Sequence, residues 1–275
     1  MFKGFPVPNH LPMWVFMWIL ALAIYAALKW LSWLRVQARI PHTAWRSAAY
    51  LLAWPGMDAK SFLNRDLRAT PPRPAVWYGA IIQALLGVII LWVLARAIPD
   101  SHPLLQGWIG MVGAVLVLHF GAFRIAALIW QNLGIRAEPI MAAPFRSESL
   151  SEFWGKRWNL GFRQLAYDLI FAPMHKKVGA VTAGFVVFIA SGLIHDFVIS
   201  IPAAGGYGLP TAYFVLQGAG ITVERSNLGR RLGLRRGVRG WLFMAALTTG
   251  PAFLLFHPPF IRHVIIPMMQ AIHSL

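Results

Sequence analysis

The chain contains no cysteine among its 275 residues. This absence excludes disulfide bonds, a thiolate nucleophile and zinc sites built on thiolates. Charged residues are also scarce, at 12% of the chain, and only nine of them are acidic. Hydrophobic residues make up 58% and the mean hydropathy is +0.59, which is atypical of a soluble globular domain. The composition therefore predicts an integral membrane protein.

Several familiar catalytic motifs are missing as well. The sequence has no G-x-S-x-G elbow, no phosphate-binding P-loop, no H-E-x-x-H pair and neither HHxxxDG nor H-x-x-x-x-D. These absences argue against the common hydrolase, nucleotide-binding and metalloenzyme chemistries. We expect no metal site and no bound cofactor.

Long apolar runs recur along the chain, and a helix needs about 20 apolar residues to cross a bilayer. Residues 46–63 are apolar but are broken by Pro55 and Gly56, which favours a segment in the membrane interface. The pattern predicts one domain over residues 1–275, an all-α integral membrane protein. Its multi-pass helical bundle would have about six or seven crossings plus interfacial helices. The crossings are expected near residues 11–34, 74–95, 104–123, 178–202, 209–223 and 240–256, with 260–275 as a possible seventh.

The net charge of +16 comes from basic residues that fall into three clusters. Residues 29–73 and 124–177 hold eight Lys or Arg each, and residues 224–239 hold six. Every second connection is thus basic, which predicts that these segments are cytoplasmic and that the N-terminus lies outside. The clustering counts against nucleic-acid binding, because no aromatic and basic RNA signature accompanies it. Short loops and the lack of a targeting presequence fit a bacterial inner membrane.

The stretch IASGLIHDFVIS, residues 189–200, places His195 and Asp196 in an apolar segment. A neutral imidazole there can take a proton from a substrate hydroxyl, although a packing histidine bonded to a neighbouring carbonyl is an equal alternative. Asp196 points about 100° away around a helix and is a poor orienting partner. We expect it to bond Arg96 or a backbone amide, or to contact substrate.

A second stretch, FWGKRWN, spans residues 153–159. Its tryptophans suit an interface, and its two cations suit headgroups or a ligand phosphate. The carboxamide of Asn159 can donate to a developing oxyanion. An ordinary aromatic and basic membrane anchor is the alternative. Asn159 is expected near the cytoplasmic face and His195 in the outer half of the bilayer. For the two to share a site, the tryptophan helix must dip inward, the bilayer must be thinned locally, or the fourth crossing must be tilted.

Three blocks resemble the wax synthase branch of the membrane-bound O-acyltransferase family. They are SLSEFWGKRWN (residues 149–159), FIASGLIHD (188–196) and GGYGLPTAYFVLQG (205–218). Two more, YLLAWPGMDAKSFL (50–63) and GPAFLLFHPPF (250–260), extend the likeness over most of the chain after the first helix. The chain is short for this family.

The resemblance implies an enzyme that transfers an acyl group from fatty acyl-coenzyme A to a long-chain or other lipophilic alcohol, forming a wax-type ester. Acyl-coenzyme A is then a co-substrate, and the alcohol and membrane lipid are the other partners. Two alternatives stay open: the same chemistry on a sterol, terpenoid or glycan, and a small transporter or lipid-binding scaffold. The resemblance makes His195 the base and Asn159 its catalytic partner, and the substrate-binding residues would be Trp154, Trp158, Lys156, Arg157 and Asp196.

Overall fold

The computed structural model describes residues 11–275, so the predicted outside position of the N-terminus falls on residues beyond the described part. Within residues 11–275 the chain is helical and has no β-strand, only an isolated bridge between Arg68 and Ile135. The helices are α1 (Met13–Gln37), α2 (Ala44–Ala53), α3 (Ala59–Leu63), α4 (Pro74–Leu94), α5 (Pro103–Asn132), α6 (residues 150–157), α7 (Leu160–Ala203), α8 (Leu209–Arg225), α9 (Asn227–Arg231), α10 (Gly237–Leu255) and α11 (residues 258–271).

Among the helices of residues 11–275, five are long and apolar enough to cross a bilayer, namely α1, α4, α5, α7 and α10. The prediction of an all-α integral membrane protein is therefore confirmed. Helix α8 has 17 residues, and α11 is shorter still. Much of the surface of α4 consists of exposed leucine, isoleucine and valine, as expected of a face that meets lipid.

Two helices extend beyond the predicted crossings. Helix α5 continues past residue 123, through Arg124 to Asn132, because a single cation does not stop a helix. Gly134, with a φ of 74° in the left-handed region, then turns the chain away from α5. The predicted crossing at residues 178–202 is the second part of a longer helix, because α7 starts at Leu160 and kinks at Gly179, where φ is 80°.

Residues 44–63 form two short helices instead of a crossing, as the break at Pro55 and Gly56 predicts. Asp58 starts α3 by accepting the backbone N–H of Ser61 at 3.0 Å. The pair packs on the end of α1, where the buried Lys29 donates to the Gly56 carbonyl and lies 3.4 Å from the centre of the Tyr50 ring. Lys29 therefore holds α1 to α2 and is absent from the basic surface.

Two hydrophobic clusters mark the two ends of the bundle. The first cluster joins Met17, Leu91, Ala203 and Met269, and the end of the bundle where it lies is called here the distal end. The second cluster joins Tyr50 of α2, Phe62 of α3 and Ala127 of α5 to Ile135, which follows α5, and it lies at the end of the bundle called here the basic end. The start of α1 thus lies with the end of α4, the end of α7 and α11. The basic connections after α1 and α5 lie at the opposite end.

Candidate functional site

Helices α7 and α8 approach closely beside His195. A Cβ on Gly192 would lie 2.6 Å from the Cα of Thr211, so only glycine permits this contact. The His195 Nδ1 is 2.7 Å from the Ser191 carbonyl oxygen, and its ring lies 4.6 Å from the Phe214 ring centre. Because a carbonyl only accepts hydrogen bonds, Nδ1 carries the proton and Nε2 is the acceptor. Within residues 11–275, Nε2 has no hydrogen-bond partner.

Asp196 points away from His195 toward the start of α8. Its carboxylate accepts the backbone N–H groups of Gly208 at 2.7 Å and Thr211 at 3.1 Å, and also the Thr211 hydroxyl. The expectation of a backbone amide partner agrees with this geometry. The Arg96 alternative is wrong, because that guanidinium donates to the backbone carbonyls of His273 and Leu275. Asp196 therefore anchors the N-terminus of α8.

Helix α6 carries the tryptophan block and is capped twice. Within its own chain segment, the Ser149 hydroxyl accepts the Glu152 N–H at 3.0 Å. From α8, the buried Glu224 carboxylate accepts the N–H groups of Leu150 at 2.5 Å and Ser151 at 3.2 Å. Sequence reasoning missed Glu224, although it is the one acidic residue in the basic stretch 224–239. It fixes α6 against α8.

Trp154 connects the tryptophan block to the histidine. Its ring centre lies 5.7 Å from that of Phe214, the same ring that His195 packs against, and 5.8 Å from that of Phe188. The indole N–H donates to the Gln217 carboxamide oxygen at 3.2 Å. Gln217 is fully buried, and its NH₂ group donates to the Leu247 carbonyl at 2.8 Å. Sequence reasoning missed Gln217, whose signal is an uncharged polar side chain in an apolar helix.

The bond between Trp154 and Gln217 predicts a coupled effect on stability. We expect Trp154→Phe and Gln217→Leu each to lower the free energy of unfolding by about 1 kcal/mol, because each leaves a buried polar partner unpaired. The double variant should lose less stability than the sum of the two single losses, because Trp154→Phe already removes the indole N–H that Gln217→Leu would leave unpaired. Thermal unfolding of the purified protein measures this. Trp158→Phe is the matched control, and additive losses would contradict the coupling.

The remaining residues of the block differ in their surroundings. Arg157 lies 2.7 Å from the Glu152 carboxylate and donates to the Ala142 carbonyl at 3.3 Å, so it is committed to the local fold. Burial raises the pKa of Glu152, but hydrogen bonds from the Glu148 N–H and Arg157 outweigh it and leave the pKa below its ordinary value. Lys156 is exposed. Trp158 stacks on Phe153 with ring centres 5.3 Å apart.

Asn159 occupies the left-handed region, with φ of 43°, directly before α7. Its carboxamide oxygen accepts the Phe162 N–H at 3.4 Å and caps the helix. Asparagine suits this conformation better than most residues. In the part of the chain that the structure describes, the NH₂ group of Asn159 has no acceptor, and no hydrogen bond joins Asn159 to His195.

Two open clefts of about 260 and 370 Å³ lie beside the start of α7. The larger one is lined by Gly56, Arg136, Gly161 and Arg163 among others, and the smaller one by Arg35, Lys60 and Asp168 among others. Both open at the basic end, and neither includes His195. The candidate site therefore has two parts, the polar clefts beside the start of α7 and the aromatic group of Trp154, Phe214 and His195.

Residues 137–216, which contain Trp154, Asn159, His195 and Phe214, match the model of the membrane bound O-acyl transferase family. The resemblance to that family is confirmed. A probable long-chain-alcohol O-fatty-acyltransferase 7 of Arabidopsis thaliana is 30% identical over 144 residues, 48% of this chain and 42% of that protein. The long-chain-alcohol O-fatty-acyltransferase of Simmondsia chinensis is 29% identical over 154 residues, 50% of this chain and 42% of that protein.

The chain therefore matches less than half the length of these two O-acyltransferases. The likeness also covers about half of the chain, less than the blocks at residues 50–63 and 250–260 suggested. Both His195 and Asn159 lie inside the family segment, residues 137–216.

Proposed function

We propose that this protein transfers a fatty acyl group from acyl-coenzyme A to the hydroxyl of a long-chain alcohol and forms a wax-type ester. The observation that carries the proposal is the His195 imidazole, which lies in the family segment with Nδ1 bonded to a carbonyl and Nε2 open as an acceptor. The names of the plant relatives supply the acceptor class.

In the proposed reaction the alcohol hydroxyl donates its proton to His195 Nε2 while its oxygen attacks the thioester carbonyl carbon. The carbon–oxygen bond forms and the carbonyl oxygen becomes an oxyanion. The Asn159 NH₂ group, which has no acceptor of its own, would donate to that oxyanion. The carbon–sulfur bond then breaks, and the imidazolium returns its proton to the coenzyme A sulfur. No other co-reactant is required.

We assign the clefts at the basic end to the polar part of acyl-coenzyme A. The exposed Lys156 and the Arg163 at the larger cleft are candidate partners for its phosphates, and the basic end as a whole attracts anions. Arg157 would stabilise the local fold of α6 instead of contacting substrate, because Glu152 and the Ala142 carbonyl already engage its guanidinium. The thioester would then pass along Trp154, with Trp158 as part of the same wall, toward His195. Asp196 would support the site through α8 instead of touching substrate.

For the membrane topology we propose a single domain with six crossings: α1, α4, α5, the part of α7 after Gly179, α8 and α10. Helix α11 would return to the distal end, because Trp92 donates to the Ile272 carbonyl and Arg96 to that of His273. The basic end would be cytoplasmic, and the N-terminus would then lie outside. The membrane would be a bacterial inner membrane. On this topology His195 lies eight residues before Ala203, about 12 Å from the distal end of α7.

The experiment is a coenzyme A release assay on the purified chain in lipid nanodiscs. A thiol reagent reports only released coenzyme A, because the chain itself has no cysteine. We expect release only when palmitoyl-coenzyme A and hexadecanol are both present, with equimolar ester by mass spectrometry. If the acceptor is a different alcohol, a panel of sterol, terpenoid and sugar acceptors identifies it. Release without any acceptor, or no release with all of them, would contradict the proposal.

A further inference from the structure

The end of α7, the turn that follows it and a segment 57 residues further along the chain meet around a buried serine at the distal end. Ser200, near the end of α7, is fully buried, and so is His257, which precedes α11. The Ser200 hydroxyl lies 3.2 Å from His257 Nε2, 3.0 Å from the Asp196 carboxylate and 3.3 Å from the Gly206 carbonyl. These groups form one buried network between α7, the turn after it and α11.

The direction of each hydrogen bond follows from the backbone. The Phe260 N–H donates to His257 Nδ1 at 3.2 Å, so Nδ1 carries the lone pair and Nε2 carries the proton. Nε2 therefore donates to the Ser200 oxygen, and the Ser200 hydroxyl donates to Asp196. Asp196 in turn accepts the two N–H groups at the start of α8. Every member has its partners satisfied, which makes the network rigid.

Packing in the turn is equally restrictive. Gly206 has a φ of 73°, and a Cβ there would lie 2.4 Å from the His257 ring. The turn can therefore approach the imidazole only with glycine at this position. Because Ser200 and His257 are fully buried, we do not assign them contact with substrate.

We infer that Ser200 and His257 are positioning residues for His195. Through Asp196, the immediate neighbour of His195, they hold the last turns of α7 against α8 and α11 and so fix the rotation of the turn that carries the imidazole. This inference rests on the proposed role of His195 as the base. The same network links three stretches of the sequence: HDFVIS, which contains Ser200, GGYGLP, which contains Gly206, and HPPF, which begins at His257.

The test compares Ser200→Ala, His257→Asn and the double variant with Ser274→Ala. Ser274 is a matched control, because it is also fully buried and donates one hydrogen bond, to the Met269 carbonyl at 3.0 Å. His257→Asn keeps an acceptor for the Phe260 N–H but is too short to reach Ser200. His257→Gln can reach Ser200 and should restore much of the loss.

The first readout is the rate at which diethyl pyrocarbonate modifies His195, resolved from the other histidines by mass spectrometry. It needs no enzymatic turnover. We expect Ser200→Ala and His257→Asn each to raise this rate several-fold, the double variant to match the single ones, and Ser274→Ala to leave it unchanged. The second readout is kinetic: kcat should fall about tenfold or more with KM for acyl-coenzyme A unchanged, since small misplacements of a catalytic group are costly.

Equal His195 modification rates and equal kcat in Ser200→Ala and Ser274→Ala would overturn the inference. If Ser200→Ala does not yield folded protein, His257→Asn is compared with Ser274→Ala in its place. If the wild-type protein transfers no acyl group but these substitutions still change the reactivity of His195, the positioning role stands and the proposed function fails.

Discussion

Replacing His195 with alanine is expected to lower ester formation by about 1,000-fold, toward the uncatalysed background, because the alcohol then loses its only proposed proton acceptor. The effect should fall on kcat, since the substrates bind largely through other groups. Coenzyme A release and ester mass spectrometry on equal amounts of folded protein measure it. The variant should stay folded because, within the described residues, the imidazole makes one local hydrogen bond, to Ser191, and one ring contact, with Phe214.

His175→Ala is the matched control. His175 also lies on α7, and its Nδ1 is likewise bonded to a backbone carbonyl, that of Ala172 at 3.0 Å. It lies before the kink at Gly179, and its ring stacks on Phe171. We expect this variant to keep most of the wild-type rate. A fully active His195→Ala would exclude the histidine as base, and the reading of His195 as a packing residue would then stand.

Replacing Asn159 with aspartate is expected to lower kcat by about 100-fold or more, the usual cost of removing one oxyanion donor. This substitution separates chemistry from structure. Aspartate tolerates the left-handed conformation and caps a helix as well as asparagine does, so the start of α7 should be intact. It lacks the NH₂ group and places negative charge where the oxyanion would form. Steady-state kinetics and thermal unfolding on the same preparations measure the two effects.

Asn159→Gly is the companion variant. Glycine accepts a φ of 43° without strain but provides neither the cap nor the donor. We expect a comparable loss of kcat with a modest loss of stability. If Asn159→Asp keeps the wild-type rate while Asn159→Gly is merely less stable, Asn159 is a helix cap and the oxyanion role is wrong.

The helices that sequence reasoning identified are those whose signal is local. Runs such as residues 74–95 have an apolar length that only a membrane helix satisfies, and α4 follows that run closely. The break at Pro55 and Gly56 is equally local. The predicted crossings did not give the end of α5 or the start of α7, because charge and hydropathy mark where a segment leaves an apolar environment and not where helical hydrogen bonding stops.

At the site, the residue types pointed to His195 and Asn159, but their surroundings came from other helices. Glu224 and Gln217 both lie on α8 and act on α6, a contact that no spacing in the sequence reveals. Asp196 illustrates the same point. A carboxylate next to a candidate base suggests a side chain that contacts substrate, but the oxygens of Asp196 accept hydrogen bonds from the start of α8.

The sequence by itself determined the membrane class, the helical architecture and the clustering of basic charge at alternate connections. These follow from composition and from the cost of placing polar groups in an apolar medium, which act residue by residue. The family resemblance of three sequence blocks added His195 and Asn159 as the candidate catalytic residues. The tertiary structure alone decided which rings join Trp154 to His195, which carboxylates cap α6 and α8, and how Ser200 and His257 meet. Such contacts depend on how helices distant in the chain pack together, and packing is a property of the whole bundle.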